Sequence, residues 1–462
     1  MSWLLNIVYL AVIALAWRVL LYAGLFKGKY REGFAENFLG RVPRRSSDRP
    51  CIWLHAVSVG EVNLLATLLG EIERRRPDVE CVISTTTMTG YALARKKYSP
   101  RTVFYCPLDF SWAVKSAMQR IRPDLLLLAE LELWPNLIRA AKSHGAKVAV
   151  VNGRLSEKSF RGYSRIRPLV RGLLSQVDVI AVQNEEYAER FRSLREKGSG
   201  GFLPGGQARA SRENVVSGKK TPDPICVTGS LKFDGAETDR NNPQTQKLAA
   251  LAGIEPGDVV LLAGSTQAPE EELALAAFRE LQDAYPSLRL IVVPRHPDRF
   301  EEVADLLDQS GLPWQRRSQL TGPVDLPAPA VLLVDTVGEL GAWWGTADIA
   351  YVGGSMGSRG GQNMIEPAAY GAAVSFGPNT WNFRDIVQML LAADAAVVVK
   401  DGTELTAFVR RCLAEREYAQ CLGERSQQLV QSGLGATAAT VDLILPLLPA
   451  HSPAAEPLRK AG

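Results

Sequence analysis

Residues 353–371 read GGSMGSRGGQNMIEPAAYG, a glycine-rich turn that runs from an apolar strand, Ile349 to Val352, into a helical pattern opening at Asn363 with Glu366 one turn in. Glycines at the carboxyl end of a strand let a phosphate approach bare backbone N–H groups, and the helix that follows points the positive end of its dipole at the same place. A carboxylate in that first turn can accept from ribose hydroxyls. The segment therefore reads as a nucleotide cradle. The same spacing also arises where sheet and helix simply pack closely, so the turn alone leaves a packing role open.

Groups able to move a proton or neutralise charge lie elsewhere in the chain. The strand CIWLH runs into AVSVGEVN, which puts Glu61 at the start of a helix, where the dipole favours its ionised form and suits it to accept a proton from a sugar hydroxyl. A helix-start glutamate with no further duty has the same spacing. Glu130 and Glu132 close the strand LLLLAELELWPN, with Pro135 opening the next helix, and the sequence does not distinguish between the two. In VTGSLKFD, Lys232 could meet a phosphate or a carboxylate near a domain junction. GSTQ (Gly264 to Gln267), PRHPDRF with Arg295, and DTVGEL (Asp335 to Leu340, with Gly338 opening a helix) each follow a strand as phosphate-facing turns do. Arginine suits a leaving phosphate because its guanidinium can bond two oxygens at once.

These turns need parallel sheets to carry them. From Cys51 onward, short apolar runs alternate with amphipathic stretches, the βαβα pattern of parallel sheets covered by helices. Strands are expected at 51–55, 81–85, 102–106, 125–129, 148–151 and 179–182, and then at 225–228, 259–263, 288–293, 331–334, 349–352 and 374–376. The polar stretch 196–224 holds few apolar residues and is expected to be a mobile loop. The resulting division is a membrane anchor with a basic flank (1–30), a first α/β domain (31–222), a second (225–448) and a frayed tail (449–462). Two such domains in series face a cleft at the carboxyl ends of their strands.

The 462 residues, 46% hydrophobic and 22% charged, supply two cored domains, and a net charge of +4 is too small to argue for nucleic acid. Six scattered cysteines without a C-x-x-C pair fit buried thiols in a reducing compartment. Four histidines and no D-x-D triplet argue for metal-independent chemistry, with no metal site and no cofactor expected. Trp3 to Phe26 is apolar apart from Asn6 and Arg18 and is long enough to span a hydrocarbon core of about 30 Å. Lys27, Lys29 and Arg31 follow it, which puts the body of the protein on the cytoplasmic side of the membrane. Monotopic insertion is the alternative, because Arg18 sits well inside the run.

The motifs SVGE, ELELWPN, NGRLS, QNEE, TGSLKFD, GST, PRHPDRF, DTVGEL, GGS, GGQN, EPAAYG and GPNTWNF stand in an order and spacing that resembles the Kdo transferases, the membrane-anchored 3-deoxy-D-manno-octulosonic acid transferases of Gram-negative envelope synthesis. The resemblance runs from the anchor to about Gln431. It implies a GT-B glycosyltransferase fold, a CMP-Kdo donor, a lipid A precursor as acceptor, and an inner-membrane location. It also implies that Glu61 is the general base and that Glu130 and Lys232 stabilise the transition state. CMP contacts fall on Pro294 and Arg295, on Val337, Gly338 and Glu339, and on Asn363, Met364, Ile365 and Glu366. A GT-B enzyme or epimerase using a UDP-sugar, and a catalytically silent membrane-tethered nucleotide-binding scaffold, are the competing readings.

One departure from the family pattern generates a test. Gln267 and Gln362 stand where many members carry histidine, and glutamine can donate a hydrogen bond but cannot titrate. Activity is expected to persist with a flat profile between about pH 5 and 8, where an unperturbed histidine would titrate. A pH–rate profile with a histidine-like limb that disappears in His296→Gln overturns this expectation.

Overall fold

The computed structural model describes residues 3, 5–11, 14–15, 33–196, 223–320, 322 and 331–450. The chain divides into two compact units, Met1–Asp234 together with Gly435–Gly462, and Gly235–Leu434. The first is built on a seven-stranded sheet: β1 (Cys51–His55), β2 (Glu80–Thr85), β3 (Val103–Tyr105), β4 (Leu125–Ala129), β5 (Lys147–Gly153), β6 (Val179–Val182) and β7 (Ile225–Val227), in the order β3-β2-β1-β4-β5-β6-β7. Every pairing is parallel. Helices cover both faces, so both sides of a strand must be apolar. Alternate residues of β1 and β4 accordingly enter two separate cores, Trp53, Leu126 and Leu128 in one, and Ile52, Leu54, Leu125 and Leu127 in the other.

The second unit repeats the plan with β8 (Val259–Thr266), β9 (Leu288–Pro294), β10 (Trp314–Arg316), β11 (Val331–Leu333), β12 (Ile349–Val352), β13 (Ala373–Phe376) and β14 (Ala396–Val398), in the order β10-β11-β9-β8-β12-β13-β14. These strands are also parallel throughout. Strands β10 and β14 were not among the expected ones. Each has three residues and contains polar or small side chains, too short a run to register as a period.

One device sets strand register three times. Asp124, Asp178 and Asp348 each stand immediately before an incoming strand, β4, β6 and β12. In each, the backbone N–H donates to a neighbouring strand, to the carbonyls of Cys51, Val148 and Val260. Each carboxylate then accepts a backbone N–H from that same strand, of Cys51 (2.7 Å), Val148 (2.8 Å) and Val260 (2.9 Å). An N–H at or next to a strand's first residue would otherwise lack a ladder partner, and a buried unpaired amide costs about 1–3 kcal/mol.

Three expectations are corrected. Ile225–Val227 does not open the second domain: it pairs with β6 as the last strand of the first sheet. The chain returns to that unit after Leu434, where Val441 and Ile444 of the helix Ala436–Ile444 join the first core, so residues 435–448 do not belong to the second domain. The helix expected from Asn363 begins at Ile365. The loop at 196–224 and the tail after 449 fall almost wholly outside the described residues.

Most of the expected anchor also lies outside the described residues; those within it, 3, 5–11 and 14–15, are helical. Among the described residues, one helical stretch, Arg416–Leu447, is long and apolar enough to cross a membrane by length and composition. Its apolar side chains are in use elsewhere, Leu422 in the second unit's core and Val441 and Ile444 in the first's.

Gly264 shows how closely strand and helix approach in the second unit. A Cβ there would fall 2.5 Å from the ring of Trp344, which is itself buried. Gly264→Ala is expected to destabilise the protein by about 1–3 kcal/mol, read as a lower denaturant midpoint. An unchanged midpoint would show that the indole gives way.

Candidate active site

In the first unit, chemistry-bearing side chains collect where β1, β4 and β5 end. Ser58 caps the helix Val59–Arg75, its hydroxyl oxygen accepting the N–H of Glu61. Glu61 reaches back, one carboxylate oxygen accepting the N–H of Val57 (2.9 Å) and the other the hydroxyl of Ser58 (2.8 Å). This is a reciprocal capping box, so the bland role of a helix-start glutamate is filled. Both oxygens keep further lone pairs, and the carboxylate is fixed in one orientation at the positive end of a 17-residue helix.

Glu130 follows β4 with φ 54°, a left-handed conformation that costs a residue with a Cβ of order 1–3 kcal/mol and persists only where the surroundings impose it. Glu132, two residues on, accepts the indole N–H of Trp134 at 2.7 Å. Burial lifts the Glu132 carboxyl above its usual range, Trp134 opposes the lift, and the charges of Glu61 and Glu130 add to it. Glu132 therefore feels both other carboxylates, and the pair that the sequence left equivalent is separated: Glu132 is tied to Trp134 and Glu130 is held in a strained turn. His55, at the end of β1, is fully buried, and burial lowers its pKa to about 4, which keeps it neutral.

Lys232 is positioned through its neighbour. Leu231 donates its N–H to the side chain of Asn152 near the end of β5 (3.1 Å) and packs with Leu64, one turn beyond Glu61. The lysine is half-buried on the same unit as the carboxylates.

Beside Glu132 lies an apolar hollow of about 410 Å³, walled by Leu108, Phe110, Leu131, Leu133, Trp134 and Tyr163. Its floor is organised by Asp109, which sequence reasoning missed. The Asp109 carboxylate accepts the N–H groups of Asn136 (3.0 Å) and Leu137 (2.8 Å) at the start of the helix Pro135–Ser143, and the hydroxyl of Tyr9 (3.0 Å). Asn6 joins the same region, exchanging hydrogen bonds with the hydroxyl (2.7 Å) and N–H (3.0 Å) of Ser111. The N-terminal helical segment is thus pinned to the first unit by polar groups, while Trp3, Ile7, Val8, Leu10 and Leu15 remain exposed.

In the second unit the glycine turn differs from the expected phosphate cradle. The N–H groups of Gly354, Ser355 and Met356 all donate to the carboxylate of Glu270. An anion does occupy the turn, but the protein supplies it. The candidate donor contacts lie around this core. Pro294 is buried at the end of β9, and Arg295 extends from it with an exposed side chain. Arg295 is near enough for its charge to act on Glu366, whose carboxyl is lifted by burial, against hydrogen bonds from Asn363 and Trp344 and against that charge. Asn363 serves as a side-chain cap, donating to Glu366 (2.9 Å) and accepting from the N–H of Ile365 (3.1 Å), while Met364 is buried beneath. In DTVGEL the Glu339 carboxylate is taken by a two-point pair with Arg317 (2.8 and 3.0 Å) and by Thr336, which leaves the exposed Val337 and the positive-φ Gly338 to present backbone. Among the described residues, no three His, Cys, Asp or Glu side chains are arranged to hold a metal ion.

Comparisons with known proteins bear on what this arrangement is. Residues 32–199 match the family model described as 3-deoxy-D-manno-octulosonic-acid transferase (kdotransferase). The 3-deoxy-D-manno-octulosonic acid transferase of Haemophilus influenzae is 30% identical over 437 residues, 93% of this chain and 95% of that protein. The chain belongs to the Kdo transferase family. The transferase of the same description from Bordetella pertussis is 32% identical over 404 residues, 85% of this chain and 86% of its own. Membership makes the protein an enzyme, a glycosyltransferase. The fold agrees with a GT-B plan: the UDP-GlcNAc 2-epimerase of Neisseria meningitidis, only 12% identical, superposes with a TM-score of 0.52 over 86% of this chain and all of that structure.

Two residues that organise the candidate site, Asp109 and Glu270, were not identified from the sequence. Asp109 lies in CPLDFSW, where it resembles an ordinary helix-start acid, and its real partners sit 27 and 28 residues away.

Burial pushes the Asp109 carboxyl up to about 6, against the hydrogen bonds from Asn136 and Leu137. The unfolded value is about 3.9, so the folded protein binds this proton more tightly, and stability falls as pH rises from about 4 to about 6 and is level above. Asp109→Asn should flatten that part of the stability profile, measured as denaturation midpoints across the window. A slope that survives the substitution assigns it to another group.

Proposed function

We propose that the protein transfers Kdo from CMP-Kdo to a lipid A precursor, with the first unit receiving the acceptor and the second holding CMP. One observation carries the acceptor assignment: Glu132, which feels the charges of Glu61 and Glu130, lines an apolar hollow to which Tyr9 of the N-terminal helical segment also contributes. A phosphorylated sugar with acyl chains has both a hydroxyl to present to the carboxylates and apolar surface for the hollow. The exposed apolar residues of the N-terminal segment, with Phe34 and Trp112 nearby in the first unit, favour work at a membrane surface on the cytoplasmic face.

Chemically, Glu61 takes the proton of the acceptor hydroxyl as its oxygen bonds to the anomeric carbon of Kdo. The bond from that carbon to the CMP phosphate oxygen breaks at the same time, and its electron pair leaves with CMP. Attack opposite the leaving group inverts the anomeric centre. Glu130 and Lys232 of the first unit stabilise the transition state, Glu130 acting on the positive charge that develops on the sugar, and Arg295 of the second unit stabilises negative charge on the CMP phosphate. The capping box suits Glu61 to this role because it fixes the carboxylate without protonating it. CMP contacts fall on Pro294, Arg295, Val337, Gly338, Glu339, Asn363, Met364, Ile365 and Glu366. The Arg317 pair occupies the Glu339 carboxylate, so Glu339 meets CMP through its backbone.

Labelled Kdo, supplied as CMP-Kdo generated in situ, should pass to a tetraacylated lipid A precursor with the wild type. Glu61→Ala should lose about 10²-fold or more of that rate while still binding CMP. Cytidine nucleotides should compete and uridine nucleotides should not. Uridine-selective competition, or transfer undiminished in Glu61→Ala, would sink this reading.

A further inference from the structure

The helix Glu270–Leu281 opens with three glutamates, and the first two are each only 1% exposed. Two adjacent buried carboxylates are costly unless each is fully partnered. Glu270 accepts five hydrogen bonds. One oxygen takes the N–H groups of Gln267 (2.9 Å) and Gly354 (2.7 Å), and the other takes those of Ser355 (2.9 Å) and Met356 (2.9 Å) and the hydroxyl of Tyr351 (3.0 Å). Glu271 pairs with Arg299 through one oxygen, its other oxygen being buried without a partner, and Glu302 also holds Arg299 at 2.8 Å.

Beyond Gln267, which precedes the helix, and Tyr351 of β12, these donors belong to two different turns. Gly354 to Met356 form the turn after β12, and Arg299 closes the turn after β9 that carries Pro294 and Arg295. Adjacent helix residues point about 100° apart, so one helix start can grip both turns. The grip on the first leaves no room for a side chain: a Cβ on Gly353 would lie 2.6 Å from the carbonyl oxygen of Ser265 and 2.8 Å from the Glu270 carboxylate. Ser355 passes the constraint on, its hydroxyl oxygen accepting the N–H of Gly377 at 2.8 Å after β13.

We infer that Glu270 and Glu271 are positioning residues for the donor site: Glu270 is a built-in anion around which the GGSM turn folds, and Glu271 orients the turn bearing Arg295. The inference rests on the reading that these turns bind CMP. Glu270 fills the amide cluster that a phosphate would otherwise enter, so the donor phosphate is met by the outer part of the site, Arg295 and the turn at 337–338. Glu270 keeps the inner part rigid.

The test uses the full-length protein in detergent micelles and CMP as the probe, with binding followed calorimetrically. Glu270→Gln keeps the volume but turns an amide N–H₂ toward backbone donors, and should weaken CMP by about tenfold or more. The KM for CMP-Kdo should rise with it, and the KM for the acceptor should not. Glu270→Ala leaves an anion-sized hole lined by N–H groups, and added formate should restore CMP affinity in a saturable way. If Glu270→Ala fails to fold, Glu270→Asp takes its place, retaining the charge and more of the affinity than Glu270→Gln. Wild-type CMP affinity in Glu270→Gln overturns the inference, as does a loss that neither formate nor Glu270→Asp repairs. Arg295→Ala separates the two failures. If it also binds CMP as wild type, the donor reading has failed; if it alone is weakened, only the inference about Glu270 has.

Discussion

Parallel pairing is the constraint from which the rest of this molecule follows. Two seven-stranded parallel sheets, each covered by helices, bury their strands on both sides and leave no strand face for chemistry. Function is confined to the turns at the carboxyl ends, where the chain leaves the ladder and backbone N–H groups lose their partners. Those turns must satisfy their amides and still present groups to a substrate. At the opposite ends of the strands the amide problem is solved identically three times, by Asp124, Asp178 and Asp348. There the solution is purely structural, and register is its product.

At the carboxyl ends the same chemical device, a carboxylate accepting backbone N–H groups, acquires other consequences. Glu61 holds Val57, Asp109 holds Asn136 and Leu137, and Glu270 holds the turn after β12. A carboxylate that accepts one backbone bond on an oxygen still has lone pairs for a substrate proton. One that accepts five is saturated and can only shape its surroundings. Counting donors therefore sorts these acids by what they can do: Glu61 remains chemically available, whereas Glu270 is spent on architecture. Glu339 falls on the same side as Glu270, since Arg317 and Thr336 occupy both its oxygens.

The strands that carry the site were legible in the sequence because each is an unbroken apolar run ended by a turn. LLLLA and VVLLAG needed no other evidence than their length and neighbours. The short edge strands β10 and β14 escaped because three residues hold no period. Ile225–Val227 was recognisable as a strand, but its sheet depended on pairing with β6 across a long stretch of chain, which no local pattern encodes. The same limit applies to side chains. Glu61 could be placed because its partners Val57 and Ser58 are four and three residues away. Glu270 could not, because four of its five donors lie more than 80 residues on, and a run of glutamates at a helix start already has a sufficient explanation in the dipole.

That distribution of charge bears on the two glutamines at 267 and 362. Gln267 engages Glu270 through its backbone, N–H to carboxylate at 2.9 Å, and the Gln362 side chain lies against Gly354, the residue whose N–H makes the shortest of the Glu270 bonds. Both positions border a carboxylate already saturated with donors. An imidazolium there would add positive charge next to a carboxylate that already accepts five hydrogen bonds, and a neutral amide adds none. With glutamine at both positions, the imidazole left on the turns after β8, β9 and β12 is that of His296, beside Arg295. The turn after β12 is thus organised by one carboxylate and its backbone amides, with no imidazole among the groups that hold it.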